Sequence, residues 1–356
     1  SALKRFSLTF GCMLTILAAP MAQNAVPARQ VGNISGDFIP NQVEKGMRPQ
    51  WAKSIMKANA DRPYIYNVKD GEADIFGQMR YQKNMKGMGL IKLTSDNPGK
   101  FEWIRDYGYI AGTTPLLTAG TYVGNEYYAF ETIFYNNINM PEAICVVNTN
   151  TGEYVAKKKL VNSTTERPLI LDEMTYDPKT DRIFGLNYDT DEQTSYIYEI
   201  DRTSLELKHV ATIPSLIFTL AADNGCLYAM SMTARGSMLN KIEISSINAA
   251  AKTCTMTNTG VDTGVRMGDY SQSMEFDKTT HRLWWLAQTE DGGASFVELD
   301  AETGEAKSKT SLSNDLQLLA MAIPYQYVPD ATPSYPRNFT VAADANGALS
   351  ASLSFT

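Results

Sequence analysis

The sequence predicts an all-β protein built from repeated sheets, and three observations support that prediction. The segment Met174–Leu186 (MTYDPKTDRIFGL) returns one hundred residues later as Met274–Leu286 (MEFDKTTHRLWWL). A weaker copy, Leu220–Met230, lies between the two. From about Tyr64 onward, short apolar and aromatic runs alternate with turn residues, a pattern that is typical of strands.

The repeated segment has the pattern of two antiparallel strands joined by a turn. Each full copy places an aspartate at the start of the turn, Asp177 or Asp277, and a threonine three residues later. Aspartate side chains accept hydrogen bonds from the backbone of such turns. Because the pair recurs in successive copies, we interpret it as a turn cap rather than as catalytic machinery.

Strand candidates fall into groups of four at intervals of roughly 45–55 residues, the signature of propeller blades. Four groups are complete, at 117–160, 171–213, 218–259 and 272–312, and the turns at 148–152, 201–204 and 300–304 also repeat. A fifth group is split between 73–105 and a distant innermost strand at 318–323. Closing the ring in this way removes exposed sheet edges. We therefore predict a β-propeller of five four-stranded blades, or six or seven if the preceding segment adds strands.

The first 22 residues have the features of a secretory signal peptide. Lys4 and Arg5 precede an apolar run at 6–19, and small residues lead to a cut near Ala22–Gln23. The run is shorter than the ~20 residues that a membrane-spanning helix needs. A lipid anchor at Cys12 is disfavoured because little apolar sequence precedes it. We expect a secreted, periplasmic or cell-surface protein without a membrane span.

The remaining domain boundaries follow from composition. Residues 23–63 form a polar leader with a short helix at 48–60, and the propeller occupies 64–323. Residues 324–337 are a proline-rich linker, which we expect to be semi-rigid. The alternating tail, 338–356, predicts the first strands of a fibronectin type III-like domain. Such a sandwich needs roughly a hundred residues, so we expect a longer chain.

Composition excludes several function classes. The net charge is −7 and no basic run follows the first few residues, which argues against nucleic-acid binding. Beyond the signal peptide the chain has three cysteines and two histidines, at positions 145, 226, 254, 209 and 281. Their spacing matches no metal site. The acidic turn Asp189–Glu192 lacks the register of a calcium loop, so we predict no metal.

The signal peptide, the propeller with D-x-x-T-G turns, the linker and the fibronectin-like opening together resemble exported bacterial surface proteins. The turns also resemble those of YVTN-type and quinoprotein-like propellers. This resemblance implies an extracytoplasmic interaction protein and brings no catalytic residues with it. A quinone would need a stacking tryptophan in each blade, whereas only Trp103 stands near such a position, so we predict no cofactor.

Ligands of propellers usually bind on the face that carries the loops between strands 2 and 3 and between strands 4 and 1, which we call the upper face. Tyrosines and mixed charges on this face suit a carbohydrate or a peptide. The predicted ligand-binding residues are Tyr107, Tyr109, Tyr135, Arg167, Asp172, Glu173, Arg266, Asp269 and Tyr270. We expect a glycan or protein ligand. The oligomeric state is left open, with a monomer as the simplest expectation.

Two functions remain, in different classes. The first is a non-enzymatic binding module. The alternative is a glycoside hydrolase that uses Glu173 and Glu275, both on predicted innermost strands, as paired carboxylates. Strand alternation turns Glu275 away from its neighbours Met274 and Phe276, and neither glutamate lies in a recognisable enzyme motif. We therefore favour the binding module.

Overall fold

The chain divides into two compact units after Tyr325. The computed structural model describes residues 72–81, 88–108, 115–124, 126–135, 138–159, 169–202, 204–268, 272–291, 293–312, 316–325, 338–343 and 349–354. The predicted signal peptide, the leader with its helix, and residues 326–337 of the predicted linker lie outside these residues. They stay predictions.

The first unit consists of five four-stranded antiparallel sheets, the blades. Blade 1 contains β1 (Asp74–Tyr81), β2 (Gly89–Thr94), β3 (Phe101–Asp106) and the distant β20 (Gln317–Ala322). Blade 2 contains β4 (Pro115–Val123), β5 (Glu126–Tyr135), β6 (Ile138–Val147) and β7 (Tyr154–Lys159). Blade 3 contains β8 (Glu173–Asp177), β9 (Arg182–Asp189), β10 (Thr194–Ile200) and β11 (Leu207–Ile213).

The last two blades have the same strand order. Blade 4 contains β12 (Thr219–Asp223), β13 (Cys226–Met232), β14 (Ser237–Glu243) and β15 (Met256–Asp262). Blade 5 contains β16 (Ser273–Asp277), β17 (Arg282–Gln288), β18 (Ala294–Leu299) and β19 (Ala306–Ser311). The one helix among the described residues is a 3-10 turn, Ile244–Ser246.

The innermost strands form a closed ring around a central channel. They contact one another in the order β20, β4, β8, β12 and β16, and β16 contacts β20. The predicted five-bladed β-propeller is therefore confirmed. The predicted ring closure is also confirmed, because β20 pairs with β1 through Phe76–Ala322 and Gln78–Leu319.

The recurrent aspartates cap the turns between the first and second strands. The Asp177 carboxylate accepts hydrogen bonds from the backbone N–H of Thr180 (3.0 Å) and from its hydroxyl (2.7 Å). The Asp277 carboxylate accepts the N–H of Thr279 and the hydroxyl of Thr280. The prediction that repetition marks a structural role is confirmed at both positions.

The contacts of the turn between the third and fourth strands explain its D-x-x-T-G sequence. In blade 5, Asp300 accepts the backbone N–H groups of Glu302 and Thr303, both at 2.9 Å. Gly304 has φ +79°, and a Cβ there would lie 2.3 Å from the Thr259 hydroxyl of blade 4. Glycine is needed because the left-handed backbone approaches the preceding blade so closely.

Apolar side chains pack between neighbouring blades and form the core. One cluster joins blades 4 and 5 and includes Phe218, Met230 and Trp285. Another joins blades 5 and 1 and includes Trp284 and Met79. Trp284 and Trp285, which are adjacent in β17, therefore pack on opposite faces of one sheet, as strand alternation requires.

The sequence pattern predicts a loop at Phe134–Pro141, between the second and third strands of blade 2. This prediction is wrong. β5 continues to Tyr135 and β6 begins at Ile138, so Pro141 lies within a strand. The pairing shifts register at this point, from Glu131–Ala143 to Thr132–Pro141. A bulge accommodates a residue that lacks the N–H needed for regular pairing, so the proline does not end the strand.

The second unit contains a hairpin of β21 (Asn338–Ala343) and β22 (Leu349–Ser354). Phe339 pairs with Leu353, and Val341 pairs with Ala351. Two strands are present where the sequence predicted them. The assignment to a fibronectin type III-like domain stays a prediction.

Candidate functional site

Polar side chains of the innermost strands fill the central channel. They come from blades 2, 3 and 5, and one further residue follows β16 in the turn below it. We call this set the channel network: Thr121, Glu173, Thr175, Ser273, Glu275 and Lys278. Every member is 0% exposed, so the channel network is closed to solvent.

Glu275 links three blades at the centre of this network. One carboxylate oxygen accepts the hydroxyl of Thr121 on blade 2 at 2.7 Å, and the other accepts the hydroxyl of Thr175 on blade 3 at 3.3 Å. Neither blade is adjacent to blade 5 in the ring. The side chain of Glu275 therefore reaches across the channel rather than along its wall.

Lys278 supplies the positive charge. Its Nζ lies 2.7 Å from a carboxylate oxygen of Glu275, and both side chains are 0% exposed. The same ammonium group lies 5.5 Å from the ring centre of Tyr325. This cation–π contact further stabilises the buried charge of Lys278. Burial raises the pKa of Glu275, and the charge of Lys278 opposes that rise.

Glu173 makes a second contact across the channel. Its carboxyl group accepts the backbone N–H of Met274 on blade 5 at 3.1 Å and that of Met174 at 3.3 Å. Burial raises the pKa of Glu173 well above its usual range, and the nearby charge of Glu275 raises it further. Glu173 and Glu275 lie on innermost strands, β8 and β16, and both contact other blades across the channel. Their roles as site residues stay predictions.

Asp172 lies immediately before β8, on the upper side of the channel network, and is only partly buried. Burial nevertheless raises its pKa to about 8, against the opposing hydrogen bond from the Tyr188 N–H at 3.4 Å. The adjoining backbone is held by Asn187, whose side-chain N–H donates to the Ile170 carbonyl at 2.9 Å. Asp172 thus lies at the upper end of β8, with its carboxyl group hydrogen-bonded to β9.

Arg266 lies on the upper face, between blades 4 and 5, and its side chain is 51% exposed. It donates to the carboxylate of Glu290 and to the carbonyl of Arg235, each at 3.2 Å. These two contacts position the guanidinium group without covering it. The guanidinium group of Arg266 is therefore held in place and about half exposed.

Tyr107 is held at the junction of blades 1 and 2. Its hydroxyl donates to the Gly152 carbonyl at 2.8 Å, and its ring contacts Tyr154 at 6.1 Å. Burial raises the pKa of this phenol. The hydroxyl group is thus hydrogen-bonded within the molecule, and the predicted ligand contact of Tyr107 stays a prediction.

The other predicted contacts are not brought together by the described structure. Tyr135 is the last residue of β5. Tyr109, Arg167, Asp269 and Tyr270 lie outside the described residues. Their roles in ligand binding stay predictions.

Thr121, Thr175 and Lys278 were not predicted from the sequence as site residues. One signal was present for the lysine, since the two full repeats differ there, with Pro178 in one and Lys278 in the other. A lysine is almost never fully buried without a charged partner, but the sequence does not show that this turn is buried. The two threonines match the composition of ordinary strands and carried no signal.

No group of three or more metal-ligating side chains lies together in the part of the chain that the structure describes. In the acidic turn, Asp189 accepts the N–H groups of Asp191 (2.9 Å) and Glu192 (3.1 Å). Its carboxylate caps the turn. No helix in the described ranges has the length and apolarity to cross a membrane.

Comparisons with known proteins show similarity to solved structures only. No family model matches the sequence, and no curated protein matches it. Apo AztD from Citrobacter koseri is 14% identical with a TM-score of 0.29, over 67% of this chain and 55% of that chain. TolB from Acinetobacter baumannii is 10% identical with a TM-score of 0.40, over 71% and 67%.

A third similar structure is 1,3Gal43A, an exo-β-1,3-galactanase from Clostridium thermocellum. It is 12% identical with a TM-score of 0.43, over 79% of this chain and 67% of that chain. Similarity at this level says nothing about ligand or activity.

Proposed function

We propose that the protein is a non-enzymatic binding module that acts outside the cytoplasm and binds a glycan or protein ligand on its upper face. One observation carries this proposal. The two inward carboxyl groups that a hydrolase would need, Glu173 and Glu275, are 0% exposed and bonded within the channel network.

Glycoside hydrolysis places a carboxylic acid and a carboxylate on either side of the scissile bond. A sugar can reach Glu275 only if Lys278, Thr121 and Thr175 release it. Breaking a buried ion pair leaves an uncompensated charge in the interior, which costs about 3–5 kcal/mol. The described channel therefore favours binding over catalysis.

The upper face offers suitable groups for a polar ligand. Asp172 presents a carboxyl group at the channel mouth, and its raised pKa leaves much of it neutral near pH 7. A neutral carboxyl group both donates and accepts hydrogen bonds, as sugar hydroxyls do. Arg266 adds an exposed cation on the same face, between blades 4 and 5. The amino-terminal pattern at 4–22 supports export.

The test uses the purified full chain on a glycan array and on a panel of polysaccharides. We expect binding to a defined glycan class without release of product. Turnover that is abolished by Glu173→Gln or Glu275→Gln would contradict the proposal. Silence on the array favours a protein ligand, which is then sought by crosslinking to extracytoplasmic extracts.

Two arginines provide a matched pair of variants. Arg266 on the upper face pairs with Glu290 at 3.2 Å and is 51% exposed, and Arg202 on the opposite face pairs with Asp181 at 3.2 Å and is 48% exposed. We expect Arg266→Ala to weaken ligand binding about tenfold, roughly 1.4 kcal/mol. Arg202→Ala should leave it unchanged. Equal effects would place the ligand elsewhere.

A further inference from the structure

The channel network holds two acidic groups and one basic group. Lys278 lies 2.7 Å from Glu275, so the only cation in the network is already paired. The described partners of the Glu173 carboxyl group are backbone N–H groups of Met174 and Met274 and the nearby hydroxyl of Ser273. All of these are neutral.

We propose that Glu173 carries a proton in the native protein and that this buried carboxyl group, which joins blades 3 and 5, makes the stability of the ring depend on pH. With Glu173 neutral, the charges of Glu275 and Lys278 cancel and the sealed network has no net charge. Loss of the proton places a second negative charge in the same solvent-free volume, which is strongly unfavourable. This charge destabilises the ring even though a carboxylate accepts the N–H of Met274 more strongly than a neutral carboxyl group does.

The groups that face Glu173 from other elements fit this charge balance. Glu275, which is paired with Lys278, approaches from blade 5, and Tyr127 approaches from blade 2. Burial raises the pKa of Tyr127 well above its usual range, so it is neutral at physiological pH. On its own strand Glu173 follows Asp172, another carboxyl group whose pKa is raised.

The sign of the effect follows from where the proton is bound. Above the ordinary pKa of a glutamate, the unfolded chain has lost this proton and the native protein keeps it. The native state is then favoured at lower pH, and its advantage is lost as pH rises toward the native pKa. As pH rises from the unfolded pKa to the native pKa, each such group lowers the folding equilibrium constant about tenfold per pH unit.

Asp172 also makes the protein less stable as pH rises, between the usual pKa of an aspartate and its native pKa of about 8. The pH dependence of stability therefore has two candidate sources only one residue apart. Asp172→Asn removes the partly exposed source and leaves the channel intact. Glu173→Gln removes the buried source and retains a neutral side chain of the same shape.

The experiment measures urea unfolding of the full chain and of both variants between about pH 5 and pH 9. Between the ordinary pKa of a glutamate and the native pKa, the folding equilibrium constant of wild type should fall with rising pH about tenfold more per pH unit than that of Glu173→Gln. A slope that is unchanged in Glu173→Gln and lost only in Asp172→Asn would overturn the proposal.

A second measurement applies if Glu173→Gln does not fold. Infrared spectroscopy of Asp172→Asn near pH 7 then reports the carbonyl stretch of a protonated carboxylic acid directly. We expect this band to be present, and to exchange slowly in heavy water because the group is sealed. Its absence from the folded protein near pH 7 would overturn the proposal.

Discussion

A chain that ends at Leu312 is expected not to fold, whereas a chain that ends at Tyr325 should keep the whole ring. The shorter chain lacks β20, the innermost strand of blade 1. Leu318, Met321 and Ile323 are each 0% exposed, and burying such a side chain contributes about 1.5–3 kcal/mol. Their combined loss approaches the total stability of a typical domain, about 5–15 kcal/mol.

Circular dichroism and urea unfolding check this prediction. The chain that ends at Tyr325 is the matched control, because it removes the second unit and keeps β20. We expect the control to unfold cooperatively and the shorter chain to show no cooperative transition. Equal transition midpoints would show that β20 does not close the ring.

Replacement of Lys278 by methionine is expected to cost about 3–5 kcal/mol of folding free energy. The change leaves the carboxylate of Glu275 buried without its cation, since both side chains are 0% exposed. Combining Lys278→Met with Glu275→Gln removes both charges, and most of the loss should be recovered. This recovery distinguishes an electrostatic cost from a packing defect.

Lys241→Met provides the control for the loss of an ion pair. Lys241 pairs with Glu302 at 3.1 Å on the periphery, where the glutamate is 78% exposed. Such surface pairs contribute about 0–1 kcal/mol. A cost for Lys278→Met no larger than that of Lys241→Met, measured by urea unfolding, would contradict the account of the channel network.

Much of the ring could be predicted because each blade repeats the same local rules. Asp177 and Asp277 identify the turn below each inner strand, and the segment at 318–323 has no nearby partner strand. Pro141 was misplaced because a register shift in the pairing of β5 with β6, which the local pattern does not show, lets a proline remain in the strand.

The candidate site was only half predictable, for a different reason. Glu173 and Glu275 are visible as acidic residues on apolar strands. Their partners are not, because Thr121 contacts Glu275 across 154 residues of sequence and between blades that are not neighbours. Contacts across the channel depend on the diameter of the ring, and no repeat pattern encodes that diameter.

Functional residues are expected among those that differ between the copies of the repeat. Residues that recur in successive copies, such as Thr180 and Thr280, are used in turn caps. Residues that differ between copies are free of that constraint. Arg266 and Asp172 belong to this second class, and both lie toward the upper face.

Carbodiimide labelling of the native protein, read by mass spectrometry, tests the sealed channel most directly. Both proposals depend on Glu173 and Glu275 being closed to solvent. We predict no label on either glutamate in the folded protein, full labelling of both after unfolding, and label on the exposed Glu302 in both states. Labelling of Glu173 or Glu275 in the native state at the rate of Glu302 would contradict the account.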